Sequence, residues 1–159
     1  MNKDINLAQT LFNRLKEKKL TIVLAESCTG GLVSSLITEI PGASLVLWGS
    51  FVCYTQEAKV SMLDINNDLL LQHGLVSGET AKAMAEGALK KSSADISASC
   101  TGIAGPNGDG SSVPAGTVWI AAAMKGKESL VKEYHFNGSR NEVRLKAAIA
   151  VLEIINNYF

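Results

Sequence analysis

Ser27 and Cys28 stand side by side in the stretch Ala25-Glu26-Ser27-Cys28-Thr29-Gly30-Gly31. Both side chains are nucleophile types, and the chemistry they offer is attack on a carbonyl through a covalent intermediate. A short apolar run precedes the stretch and a helical apolar pattern follows it, so the serine falls in a strand-to-helix turn. Backbone N–H groups at a helix start stabilise an oxyanion or a phosphate without any side chain. Gly30 and Gly31 let a ligand approach the backbone there. A second reading needs no ligand: Ser27 or Thr29 caps the helix, and the glycines serve packing. The stretch matches neither a Walker A loop nor G-x-G-x-x-G, and it departs from the G-x-S-x-G elbow. Motif shape alone does not choose between the two readings.

A serine nucleophile needs a base. His73 sits just before Gly74 and His135 ends a strand pattern, so neither belongs to a segment that should face Ser27. Lys59 is better placed, a few residues past a strand pattern. A lysine acts as a base only where burial or a neighbouring cation lowers its pKa; otherwise Lys59 is a solvated helix lysine. Cys28 has no histidine to take its proton, and small buried residues are the plainer reading of Cys28, Cys53 and Cys100.

Two further groups bear on a site. Residues 101–110 hold four glycines, among them Gly102 and Gly105, directly after a strand pattern. Such a loop suits ligand binding, or is a plain surface turn. Arg140 and Arg144 are four apart and share one face at the start of the last helix. They suit a clamp on phosphate or carboxylate, pairing with Glu142, or simple hydration.

The elements that must position these groups alternate. Apolar spacing predicts a helix over 6–17, a buried strand over 20–25 and a helix over 32–40, stopped by Pro41-Gly42. A strand follows over 44–54, then short helices begun at Thr55 and over 66–73. Ser77-Gly78-Glu79-Thr80 caps a helix over 80–90, and 95–99 is a third strand. Strands 116–124 and 128–135 form a hairpin around Lys125-Gly126-Lys127, and a helix over 139–158 closes the chain. This order predicts an α/β fold, a three-layer α/β/α sandwich with a mixed sheet, in one domain over 1–159. In such sheets ligands bind beyond the carboxyl ends of the strands. The three post-strand segments 26–31, 54–59 and 101–110 then converge on one sheet edge.

Composition narrows the function classes. Fifteen basic and fifteen acidic side chains cancel, which argues against a general nucleic-acid binder. No apolar run approaches the ~20 residues that a bilayer requires, and residues 1–6 lack the apolar core of a signal peptide. Three cysteines without C-x-x-C spacing suggest reduced thiols in a cytosol rather than disulfides or a zinc site.

Taken with His73-Gly74-Leu75-Val76-Ser77, Thr101-Gly102-Ile103-Ala104-Gly105-Pro106, Gly116-Thr117-Val118 and Gly138-Ser139-Arg140 with Arg144, the opening motif resembles a known family. The chain is similar, from about residue 20 to 152, to the C-terminal domain of the competence/damage-inducible protein CinA, whose stand-alone members are nicotinamide-nucleotide amidases. The resemblance implies a mixed five-stranded, mostly parallel sheet in a cytoplasmic homodimer. It also implies hydrolysis of the carboxamide of nicotinamide mononucleotide, to nicotinate mononucleotide and ammonia, without metal or organic cofactor. It puts the serine–lysine pair on Ser27 and Lys59, a neighbouring tyrosine on Tyr54, and a strand-end threonine on Thr101. Thr29, Gly30, Gly31, Thr101, Gly102, Gly105, Arg140 and Arg144 are then the expected substrate-binding residues. Two positions depart from the family pattern. Val113 stands where lysine usually precedes Pro114, and Ser139 where aspartate usually precedes the arginine. The departures keep two alternatives open: a nucleotide-binding or dimerisation module without catalysis, and an amidase for another small carboxamide.

Overall fold

Alternate residues of the central strand β1 (Ile22–Glu26) feed different cores: Ile22 and Leu24 join one, Val23 and Ala25 the other. A strand buried on both faces requires helices on both sides, and the computed structural model, which describes residues 3–159, supplies them. On one face pack α1 (Lys3–Lys18), α2 (Leu32–Thr38) and α6 (Arg140–Tyr158). On the other lie α3 (Gln56–Leu63), α4 (Asn67–His73) and α5 (Gly78–Lys90).

Between them runs a five-stranded sheet in the order β2-β1-β3-β4-β5, with β2 (Leu47–Val52), β3 (Ile96–Gly102), β4 (Thr117–Met124) and β5 (Lys127–His135). β1 pairs in parallel with β2 and β3; β4 runs antiparallel to both β3 and β5. Four strands therefore point one way and only β4 the other, as the sandwich with one hairpin partner predicts. Three hydroxyls at alternate positions of β3 tie it to the α5 side. Ser97 donates to the Ala85 carbonyl (2.6 Å), Ser99 to Ala81 (2.6 Å) and Thr101 to Leu75 (2.7 Å).

Boundaries differ where a side chain intervenes. Asp95 accepts from both the N–H and the hydroxyl of Thr21, which holds that residue outside the ladder, so β1 starts at Ile22 and not at 20. The apolar run 44–54 splits into a 3-10 turn (Ala43–Leu45) and β2. Ser77 caps α5 through the Thr80 N–H, so that helix starts at Gly78. The hairpin turn needs only Lys125-Gly126, since β5 begins at Lys127. Among the described residues, no helix is long and apolar enough to cross a membrane.

Candidate active site

Beyond the carboxyl ends of the parallel strands lies a cleft of about 250 Å³, bordered by Ser27, Cys28, Tyr54, Lys59, Thr101, Arg140 and the loop after β3. The three post-strand segments meet there. Ser27 extends the β1–β3 ladder by one residue, its N–H donating to the Cys100 carbonyl (3.1 Å). That bond fixes the serine backbone just past the sheet edge.

Lys59 arrives from α3, whose first turn is set by Thr55: its hydroxyl oxygen accepts from the Ala58 N–H (3.1 Å). The lysine is only 1% exposed. Its Nζ lies 3.0 Å from Ser27 Oγ and 3.0 Å from the Cys53 carbonyl, to which it donates. Among the described residues, no carboxylate lies within hydrogen-bonding distance of that amine. Burial pushes the Lys59 pKa below its ordinary value, because a low-dielectric pocket disfavours the charged form. The neighbouring thiol of Cys53 is itself pushed up to about 11 by burial, so it stays neutral and gives the ammonium no counter-charge. A neutral amine within reach of a hydroxyl is the arrangement that proton abstraction needs.

Cys28, the rival nucleophile, is held well above its ordinary pKa by the adjoining Cys100 thiol and by burial. The thiolate is the reactive form, so the serine is favoured over the cysteine beside it. Both histidines lie away from the cleft, His73 against Glu79 and His135 against Glu133. Among the described residues, no three His, Cys, Asp or Glu side chains form a metal-ligating group.

Glu26 received no role from the sequence, yet it organises the turn. It is 1% exposed and accepts five hydrogen bonds. Oε2 accepts from the Thr29 hydroxyl (2.7 Å) and the Gly31 and Val33 amides (3.0 Å each). Oε1 accepts from the Ser34 amide (3.0 Å) and the Ser50 hydroxyl (3.1 Å). This carboxylate caps α2 from outside the helix, so neither Ser27 nor Thr29 is the cap. The cap position itself is Gly31, with φ of 98° and no side-chain bond. The α2 N-terminus is thereby occupied and is not free to take a substrate anion. The signal for Glu26 was an acid at a strand end, five residues before a glycine-opened helix.

The other expected binding residues divide. Thr101, Gly102, Gly105 and Arg140 border the cleft; Thr29, Gly30, Gly31 and Arg144 do not. Arg140 donates to the Gly105 carbonyl (2.8 Å) and to the Tyr54 hydroxyl (2.9 Å) at the exposed cleft mouth. Arg144 turns toward the Ser27 turn, donating to the Cys28 carbonyl (3.2 Å) and the Thr29 carbonyl (2.9 Å). Neither arginine pairs with Glu142, which closes a capping box with Ser139 at the start of α6. Serine and aspartate are equivalent N-caps, so Ser139 keeps the local structure that an aspartate would give. Val113 is not among the residues bordering the cleft.

Fold and site together define an α/β/α sandwich domain with a serine and a buried lysine paired beyond its parallel strand ends. Residues 4–159 match the CinA C-terminal domain, and the chain belongs to that family. A "putative competence-damage inducible protein" of Clostridium beijerinckii is 45% identical over 96% of this chain. The chain spans 37% of that relative's length. The crystal structure of the competence/damage inducible protein CihA from Agrobacterium tumefaciens superposes with a TM-score of 0.93 at 38% identity, covering 98% of this chain and 95% of that one. The competence damage-inducible protein A of Klebsiella pneumoniae gives 0.95 at 29% identity, covering 99% and 97%.

Proposed function

We propose that this domain is an amidohydrolase that cleaves the carboxamide of nicotinamide mononucleotide, releasing ammonia and nicotinate mononucleotide. The observation that carries the reading is the buried Lys59 amine, 3.0 Å from Ser27 Oγ and with no acidic partner among the described residues. Neutral Lys59 takes the Ser27 proton as Oγ bonds to the amide carbon. The developing oxyanion is stabilised by backbone N–H groups of the turn. Collapse expels ammonia, which takes its proton from Lys59. Water, deprotonated by the same amine, then cleaves the acyl-serine ester and restores Ser27.

Arg140 at the cleft mouth, steadied by Tyr54, provides the cation for the nucleotide phosphate. Its position there supports that role better than the position of Arg144 does. Tyr54 acts on this reading by orienting Arg140, which leaves the leaving-group proton to Lys59. Thr101, buried at the cleft wall with its proton given to Leu75, keeps a lone pair for the substrate. The reading extends to a cytoplasmic homodimer. The surface on offer is edge strand β2 and the 3-10 turn before it, where Trp48, Val52 and Leu45 are exposed, and light scattering tests it.

The deciding assay incubates the protein with nicotinamide mononucleotide and measures ammonia. Ser27→Ala abolishes release while the fold persists. Saturable nucleotide binding without ammonia points instead to a binding module, and ammonia from phosphate-free carboxamides at equal rate to a broader amidase.

A further inference from the structure

The amides of the nucleophile turn are nearly all engaged. Gly30 N–H donates to the Ser27 carbonyl (3.0 Å), and Gly31, Val33 and Ser34 donate to Glu26. Among the described residues only the Cys28 and Thr29 amides of this turn have no carbonyl or side-chain oxygen as acceptor. Cys28 follows the nucleophile directly and borders the cleft.

Arg144 binds the two carbonyls that follow the Ser27 peptide, those of Cys28 and Thr29. A peptide carbonyl and the N–H of the next residue share one plane and point opposite ways. By binding the Cys28 carbonyl, Arg144 sets the plane that carries the Thr29 N–H. By binding the Thr29 carbonyl, it sets the plane of the Gly30 N–H. That N–H holds the Ser27 carbonyl, whose plane carries the Cys28 N–H. A guanidinium charge on one end of this chain also polarises it, and linked hydrogen bonds strengthen one another. Left-handed Gly30 and Gly31 (φ of 59° and 98°) would otherwise let the turn rearrange easily.

We propose that Arg144 is a positioning residue, which holds the turn so that the Cys28 amide, beside the nucleophile and bordering the cleft, faces the oxyanion of the reaction, and which takes no part in holding substrate phosphate. The proposal rests on Ser27 as the nucleophile, and it does not depend on which carboxamide is the substrate.

The test uses the full chain and a fluorophosphonate probe, which carries no nucleotide phosphate. In labelling, Ser27 Oγ bonds to phosphorus, fluoride leaves and Lys59 takes the proton. Labelling rates are compared for wild type, Arg144→Ala, Arg144→Lys and Lys132→Ala, with thermal midpoints recorded for each. Arg144→Ala should label about 10²-fold more slowly, and on nicotinamide mononucleotide lose kcat with KM little changed. Arg144→Lys, which keeps one cationic donor, should be intermediate at an unchanged midpoint. Lys132→Ala, which removes an exposed cation of β5 outside the cleft, should label at the wild-type rate. Wild-type labelling by both Arg144 variants overturns the proposal, as does a rise in KM with kcat retained. If the alanine variant unfolds, the lysine variant decides alone. Wild type that labels at Ser27 but releases no ammonia overturns the substrate reading and leaves the Arg144 comparison intact; wild type that does not label overturns both.

Discussion

Lys59 Nζ sits 3.0 Å from Ser27 Oγ although the residues are 32 apart in sequence and come from different crossovers. The contact exists because β1 and β2 run parallel, so the loops that follow them leave the same sheet edge. The Cys53 N–H donates to the Glu26 carbonyl (2.9 Å), which keeps the two strand ends joined one residue past the ladder.

On the proposed mechanism, that contact makes activity depend on the protonation of one lysine. Lys59 acts as a base only when neutral, and its pKa is lowered from the ordinary 10.5 by burial. The rate constant kcat/KM should therefore rise with pH through the lowered Lys59 pKa and level off below pH 10.5. Stability follows the same group. Between the lowered folded pKa and 10.5 the unfolded chain holds a proton that the folded protein has released, so stability rises with pH across that window. Below it both states are charged, and the fold bears the full cost of burying the ammonium. Thermal melts should thus show wild type gaining on Lys59→Met as pH climbs toward 10.5. A pH-independent gap between the two would mean that Lys59 is not perturbed.

Arg140→Ala should raise KM for nicotinamide mononucleotide about 10- to 100-fold while kcat changes little, the effect of losing a charge-assisted bond worth about 1.5–3 kcal/mol. Steady-state ammonia release measures it. The part-buried bond to the Gly105 carbonyl is lost as well, so thermal midpoints are recorded alongside to separate a change of fold from a change of binding. A fall in kcat with KM unchanged would place the arginine at the reacting atoms and not at the phosphate.

How much of this was legible beforehand depended on sequence distance. The strand, turn and helix around Ser27 and the α3 helix carrying Lys59 follow from local apolar spacing and from Thr55 as a cap. The convergence of three loops followed from the parallel order. The division of labour between Arg140 and Arg144 was not legible. Their spacing puts them on one helical face, but their acceptors lie at Gly105 and at Cys28 and Thr29, the latter more than a hundred residues away. Glu26 was hidden for a related reason: a lone carboxylate after a strand reads as a polar loop until the helix it caps is folded against it.

Glu26→Gln should destabilise the fold by about 2–3 kcal/mol, lowering the thermal midpoint by roughly 4–12 °C. The amide retains one acceptor oxygen, but its NH₂ must face either the Ser34 N–H or the donors on the other oxygen. Ser50→Ala removes one of the five donors and leaves the rest, so its cost should stay near 1 kcal/mol or less. Melts of both variants check the order. An unchanged midpoint for Glu26→Gln would mean that the buried carboxylate is not what holds the turn.

Gly102 and Gly108 both border the cleft, yet only one is confined by its surroundings. A Cβ on Gly102 would lie 2.7 Å from the Thr117 carbonyl oxygen and 2.7 Å from Val118 Cγ2, across the β3–β4 pairing. A Cβ on Gly108 would meet nothing nearer than the Val113 carbonyl oxygen at 3.9 Å. Gly102→Ala should therefore push β4 away from the end of β3, at a cost of about 1–3 kcal/mol. It should also displace Thr101 and the loop after it, so ammonia release falls together with the melting point. Gly108→Ala should leave both near wild type. If Gly108→Ala instead blocks turnover without lowering the melting point, that glycine is there to let a ligand reach the backbone, and the packing account covers Gly102 alone.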